Sequence, residues 1–177
     1  MDYGKLEKNI TDIIQEEQIK LGYRSESIRL YYPLQSLNRL LDSRCDIPQM
    51  TEKLQVFSNL VAKRLGKIEV SHIKERFCLT VPPKGVDYVH QHMDGTEFIC
   101  DFIHTIEKHG CTIQEVLRQF HDHSQHVHVE KVTHGEFDYV VYFEDGKPDD
   151  YRYCLTDEGH HIIYHRFTKE DYEDYIF

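Results

Sequence analysis

Long apolar runs are missing from this chain of 177 residues: none approaches the roughly 20 residues that span a bilayer. The start, MDYGKLEKNITD, has neither the basic n-region nor the apolar h-region of a secretory leader. We therefore expect a cytoplasmic protein with no membrane partner. Glycine and proline are sparse, at nine and five, which excludes collagen and mucin compositions. The cysteines, Cys45, Cys78, Cys100, Cys111 and Cys154, are odd in number and form no C-x-x-C pair, which argues against a disulfide framework or a zinc ribbon. Nothing matches G-x-x-x-x-G-K-[ST], G-x-G-x-x-G or G-x-S-x-G, so the common phosphate cradles and the nucleophile elbow are absent as well.

What is present is the material of a folded protein. Hydrophobic residues make up 40% and charged ones 29%, with 12 Tyr and 9 Phe to fill one sizeable core or two small ones. The net charge of -10 is unevenly spread: residues 1–83 hold 13 Lys and Arg against 11 Asp and Glu, and residues 84–177 hold 8 against 20. Only the first part could meet nucleic acid without repulsion from its own surface, because such binding rests on cations neutralising phosphates.

Hydrophobic periodicity sets out the elements. Leu6, Ile10, Ile13, Ile14 and Leu21 share one helical face, and Gly22 ends that helix. In SIRLYY the period drops to two, as in a short strand, and Pro33 ends it while suiting the first turn of a helix through Leu34, Leu37, Leu40 and Leu41. That helix is expected to break before Asp46 and Pro48, and a third to run from Gln49 to Leu65 with Leu54, Phe57, Val61 and Leu65 as its apolar line. KIEVSHI and RFCLTV around Lys74-Glu75 predict a hairpin, and Lys84–Met93 a closing helix. Helix, strand, helix, helix, hairpin is the connectivity of a winged helix-turn-helix. Two further helices follow, FICDFIHTIEKH and TIQEVLRQFHDH, the second opened by the capping pair Thr112 and Glu115. HVHVEKV, EFDYVVYF, DYRYCLT and HHIIYHRF, divided by glycine-containing breaks, predict an antiparallel meander, with an acidic tail helix at Lys169–Tyr175. RFCLTVPPKG and YRYCLTDEG echo one another, which raises a second, degenerate winged helix as an alternative for the later half.

Four stretches, SIRLYYPL, VPPKGVDYVH, FEDGKPDDYRYC and EGHHIIYHRFT, together resemble a family of uncharacterised bacterial proteins from anaerobic Gram-positive species, catalogued only as a domain of unknown function. The likeness runs over nearly the whole chain. It implies a bacterial, cytoplasmic protein and carries no activity, ligand or catalytic residue with it.

Histidine is the most suggestive residue type, with five of 13 between positions 121 and 134: His121, His123, His126, His128 and His134. Imidazole is a common ligand of zinc and other transition metals, and His126 and His128 alternate on a predicted strand so that both face one side. With His121 or His123 they could hold an ion whose open positions activate a water for hydrolysis. The spacing of His121, His123 and His126 matches the histidines of the H-x-H-x-D-H motif of metallo-β-lactamase-like hydrolases, but Gln125 stands at its aspartate. EVLRQF also reads as helix where that fold has a strand. The plainer reading is an exposed strand face whose imidazoles meet water and carboxylates. His121-Asp122 also suggests an HD-type phosphohydrolase, which is all-helical where this chain turns to strands. Cys100 and His104 lie one helical turn apart, as a nucleophile and its base would, yet no glycine-rich turn supplies an oxyanion hole, so a core position is expected. FEDGKPDD lacks the glutamate that closes an EF-hand loop, Thr156 standing at the twelfth position from Asp145, and reads as a solvated turn.

These features define an α+β protein: a winged-helix-like module over residues 1–93, then over 94–177 a helix pair and an antiparallel β-meander with an acidic tail, the two packed as one unit. The leading expectation is a cytoplasmic, non-enzymatic interaction or regulatory protein with a protein partner, without cofactor, and with homodimerisation left open. One alternative is a metal-dependent hydrolase holding zinc or another transition metal on His121, His123, His126 and His128. The other is a DNA-binding transcriptional regulator touching DNA through Lys53, Lys63, Arg64, Lys67, Lys74 and Arg76. DNA is not the expected partner, because Lys63 and Arg64 sit at the wrong end of the third helix for base contacts, where they complement the helix dipole, and Glu52 occupies the reading end.

Overall fold

The computed structural model describes residues 2–133 and 135–176. The protein is α+β, with seven helices and two antiparallel sheets of three and four strands among the described residues. No helix among these residues is long and apolar enough to cross a membrane. The chain divides into two compact units, Met1–Asp94 and Gly95–Phe177.

The first unit opens with α1 (Tyr3–Leu21), whose residues Leu6, Ile10 and Ile14 are fully buried at four-residue spacing. The Asp2 carboxylate caps its start, and Gly22 closes its end by donating to the Gln18 carbonyl at 2.9 Å. Strand β1 (Ile28–Pro33) leads through Pro33, the N-cap residue, into the short α2 (Leu34–Leu40). Helix α3 (Ile47–Leu65) is followed by β2 (Glu69–Ile73), β3 (Arg76–Val81) and α4 (Pro83–Gln91). The strands order as β1-β3-β2, with Leu30 opposite Leu79 and Tyr32 opposite Phe77. These inward side chains, with Val81, meet Met50, Leu54, Phe57 and Val61 of α3 and the α1 stripe in one core. Two polar groups inside it are satisfied: the Tyr32 hydroxyl donates to Asn9 Oδ1 at 2.8 Å and Ser58 Oγ to the Ile68 carbonyl at 2.8 Å.

Helix α3 begins two residues earlier than the sequence predicts. Asp46 and Pro48, which read as breakers after α2, open the next helix: Asp46 and Gln49 form a reciprocal capping box, and Pro48 lies in the first turn, where no backbone N–H is needed. At the other end Gly66 takes φ +73°, and a Cβ at Gly85 would lie 2.4 Å from the Leu65 carbonyl oxygen and 2.6 Å from Val81 Cγ1. Glycine there lets α4 close onto the α3 terminus.

In the second unit α5 (Glu97–Ile106) and α6 (Ile113–His123) precede β4 (Val127–Lys131), β5 (Tyr139–Phe143), β6 (Arg152–Asp157) and β7 (Ile162–Phe167), which pair in chain order, and α7 (Lys169–Ile176) follows. Its core is aromatic. Tyr153, fully buried on β6, meets Phe102 at 5.0 Å, Phe120 at 5.2 Å and Phe98 at 5.7 Å, all edge-on. Its hydroxyl donates to Asp149 Oδ2 at 2.6 Å, and burial pushes its pKa well above the usual tyrosine value. The second unit does not repeat the order of the first, since no strand separates α5 from α6; the shared C-L-T segment falls on an inner strand in each, β3 and β6.

Candidate functional site

The buried line of α3 leaves an opposite face, because at about 100° per residue positions 52, 56, 59, 60 and 63 point away from Leu54, Phe57 and Val61. Glu52, Asn59 and Lys63 are exposed there, as soluble helices require, but so are two aliphatic side chains one turn apart, Val56 at 51% and Leu60 at 58% exposure. A third, Ile73, is 82% exposed at the end of β2 beside the turn. Leaving such side chains in water forgoes about 1.5–3 kcal/mol for each that could be fully buried.

Of the cations assigned to nucleic acid, Lys63 shares that face and the others lie elsewhere. Arg64 is held to Glu7 of α1 by two parallel bonds of 2.7 and 2.8 Å, which raise the guanidinium pKa. Arg76 lies over the Tyr31 ring at 4.8 Å on the open side of the three-stranded sheet. Lys53 is half-buried on the flank where its carbonyl accepts from the Tyr3 hydroxyl at 3.2 Å. Lys63, Lys67 and Lys74 are exposed, Lys74 in the hairpin turn at φ +52°.

The histidines are spread over three local structures. His121 and His123 belong to α6, two residues apart and so on different sides of it. His123 Nε2 stands 2.8 Å from Asp101 Oδ2 of α5, with its ring edge-on to Phe98. His126 precedes β4 and is exposed, its backbone N–H donating to Ser124 Oγ at 3.0 Å. His128, on β4, stacks on Tyr142 at 4.7 Å, with Glu130 and Glu144 oxygens 3.7 and 3.8 Å from its ring nitrogens; Arg152 stacks on Tyr142 at 3.8 Å. His134 lies outside the described residues. Among the described residues no three His, Cys, Asp or Glu side chains are grouped so as to hold a metal ion. Cys100 is half-buried on α5, between the buried Phe98 and Ile103, and His104 is exposed.

Sequence reasoning passed over Val56, Leu60 and Ile73. The signal was available, since 56 and 60 break the polar face that the line through 54, 57, 61 and 65 implies.

The fold thus defines a two-unit α+β protein with an aliphatic strip on the third helix of its first unit. The chain belongs to the family described as "Domain of unknown function, E. rectale Gene description (DUF3877)", whose model matches residues 3–176. Neither the curated proteins nor the solved structures contain a match to it.

Proposed function

We propose that this is a cytoplasmic, non-enzymatic interaction protein whose first unit, a winged-helix-like module, docks a protein partner through the outward face of α3. Helix, strand, helix, helix and hairpin, with the strands ordered β1-β3-β2, support the winged-helix reading. Such modules serve nucleic acids or proteins, so the choice rests on the surface rather than the fold. The observation that carries it is the exposed pair Val56 and Leu60. A helix that reads DNA presents polar or basic groups to base edges and phosphates, whereas exposed aliphatic side chains gain from burial against protein. Homodimerisation uses the same chemistry and is one outcome of the test. A photo-crosslinking side chain at position 60, placed in cells expressing the full chain, should give one defined protein adduct. That adduct should vanish with Val56→Asp and persist with Lys74→Ala. Crosslinking to nucleic acid, or no adduct at all, would overturn the proposal.

A further inference from the structure

The outward face of α3 is ordered by charge as well as by apolarity. Glu52 stands near the start of the helix and Lys63 near its end, with the exposed Val56 and Leu60 between them. Neither Glu52 nor Lys63 forms a hydrogen bond or an ion pair among the described residues. At 1.5 Å per residue the strip from Glu52 to Lys63 is about 16 Å long, and at about 100° per residue its four side chains stay on one side of the helix. Gln55 and Asn59, both exposed, border it.

A strip with this order is complementary to itself when turned end over end. In an antiparallel pair of α3 helices whose two-fold axis passes at the level of Phe57 and Ser58, Glu52 of each copy comes opposite Lys63 of the other, and Val56 of each comes opposite Asn59 and beside Leu60. Four aliphatic side chains then leave water together at the centre, and an ion pair closes each end. A parallel pair would set Glu52 on Glu52 and Lys63 on Lys63, and like charges repel. We infer that the partner of the α3 face is a second copy of this chain, docked antiparallel about a two-fold axis. This inference rests on the docking reading given above and names its partner. The contact is short and its charges lie at a solvated rim, which places it among small, reversible interfaces.

Sedimentation equilibrium of the full chain at concentrations up to about 200 µM, which reaches interfaces of micromolar affinity, tests it. We expect a monomer–dimer equilibrium, and a monomer with Val56→Asp. Glu52→Lys and Lys63→Glu should each weaken dimerisation about tenfold, since each turns two surface pairs from attraction to repulsion. Mixed in equal amounts, those two variants should dimerise as tightly as the native chain, because both ends of the mixed pair are again oppositely charged; that recovery also shows that both variants are folded. The inference is overturned if the native chain stays monomeric throughout, if Val56→Asp dimerises unchanged, or if the mixture associates no better than its components. A monomeric chain whose crosslinker at position 60 captures a different protein overturns this inference and leaves the docking of α3 standing, whereas the absence of any adduct overturns both.

Discussion

Cys154 shows what burial does to a reactive group. It is fully buried on β6, and desolvation pushes its thiol up to about 12. Since the thiolate is the nucleophile, iodoacetamide at pH 8 should modify the half-buried Cys78 and Cys100 well before Cys154. Peptide mapping that found Cys154 labelled as fast as those two would mean that β6 opens readily. Gly85 is the other position where one atom decides the packing. Because an added Cβ meets backbone as well as Val81, Gly85→Ala should cost about 1–3 kcal/mol in urea denaturation, and an unchanged midpoint would contradict the close approach of α4 to Leu65. In the sequence Cys154 falls within DYRYCLT, a predicted strand. Gly85 gives no such warning, because the backbone that constrains it belongs to Leu65, on the preceding helix and beyond the hairpin in sequence.

Among the elements, α6 is the plainest case of local sequence specifying a boundary. The Glu115 N–H donates to Thr112 Oγ1 at 3.3 Å, while the Thr112 N–H and hydroxyl both donate to Glu115 Oε2, at 2.8 and 2.9 Å. Thr112→Ala should therefore cost about 1 kcal/mol in thermal or urea unfolding. The same bonds hold the Glu115 carboxyl below its usual range. A depressed folded-state pKa means that its contribution is complete above the unfolded-state value and is lost as pH falls through the folded one. The penalty of Glu115→Ala should accordingly fade as denaturation is repeated at progressively lower pH, and a penalty that did not change with acid would refute the assignment. Every helix and strand expected from periodicity is present, because each amphipathic segment had a single partner face to find. Boundaries were less legible. Asp46 and Pro48 can end one helix or begin the next, and only the loop after α2 decides; His126 falls just outside β4, although its carbonyl accepts from Glu144 at 2.8 Å. The aliphatic strip on α3 is hard to read from the sequence because Val56 and Leu60 stand among polar and charged neighbours, and the tie of Arg64 to Glu7 spans 57 residues.

At the scale of the whole molecule, charge and surface point the same way. Met1–Asp94 carries 14 basic and 13 acidic residues, and Gly95–Phe177 carries 7 and 18, so formal charges near +1 and -11 ride on one chain. Long-range repulsion of that size slows encounter with a polyanion, and the few free lysines of the first unit offer little counterion release to offset it. The proposal that α3 meets protein rather than DNA is tested most directly by fluorescence anisotropy of labelled duplex DNA titrated with the full chain near physiological salt. The account predicts no binding tighter than the micromolar range of non-specific association. Nanomolar binding to a defined sequence, abolished by Lys63→Glu together with Lys67→Glu, would contradict it.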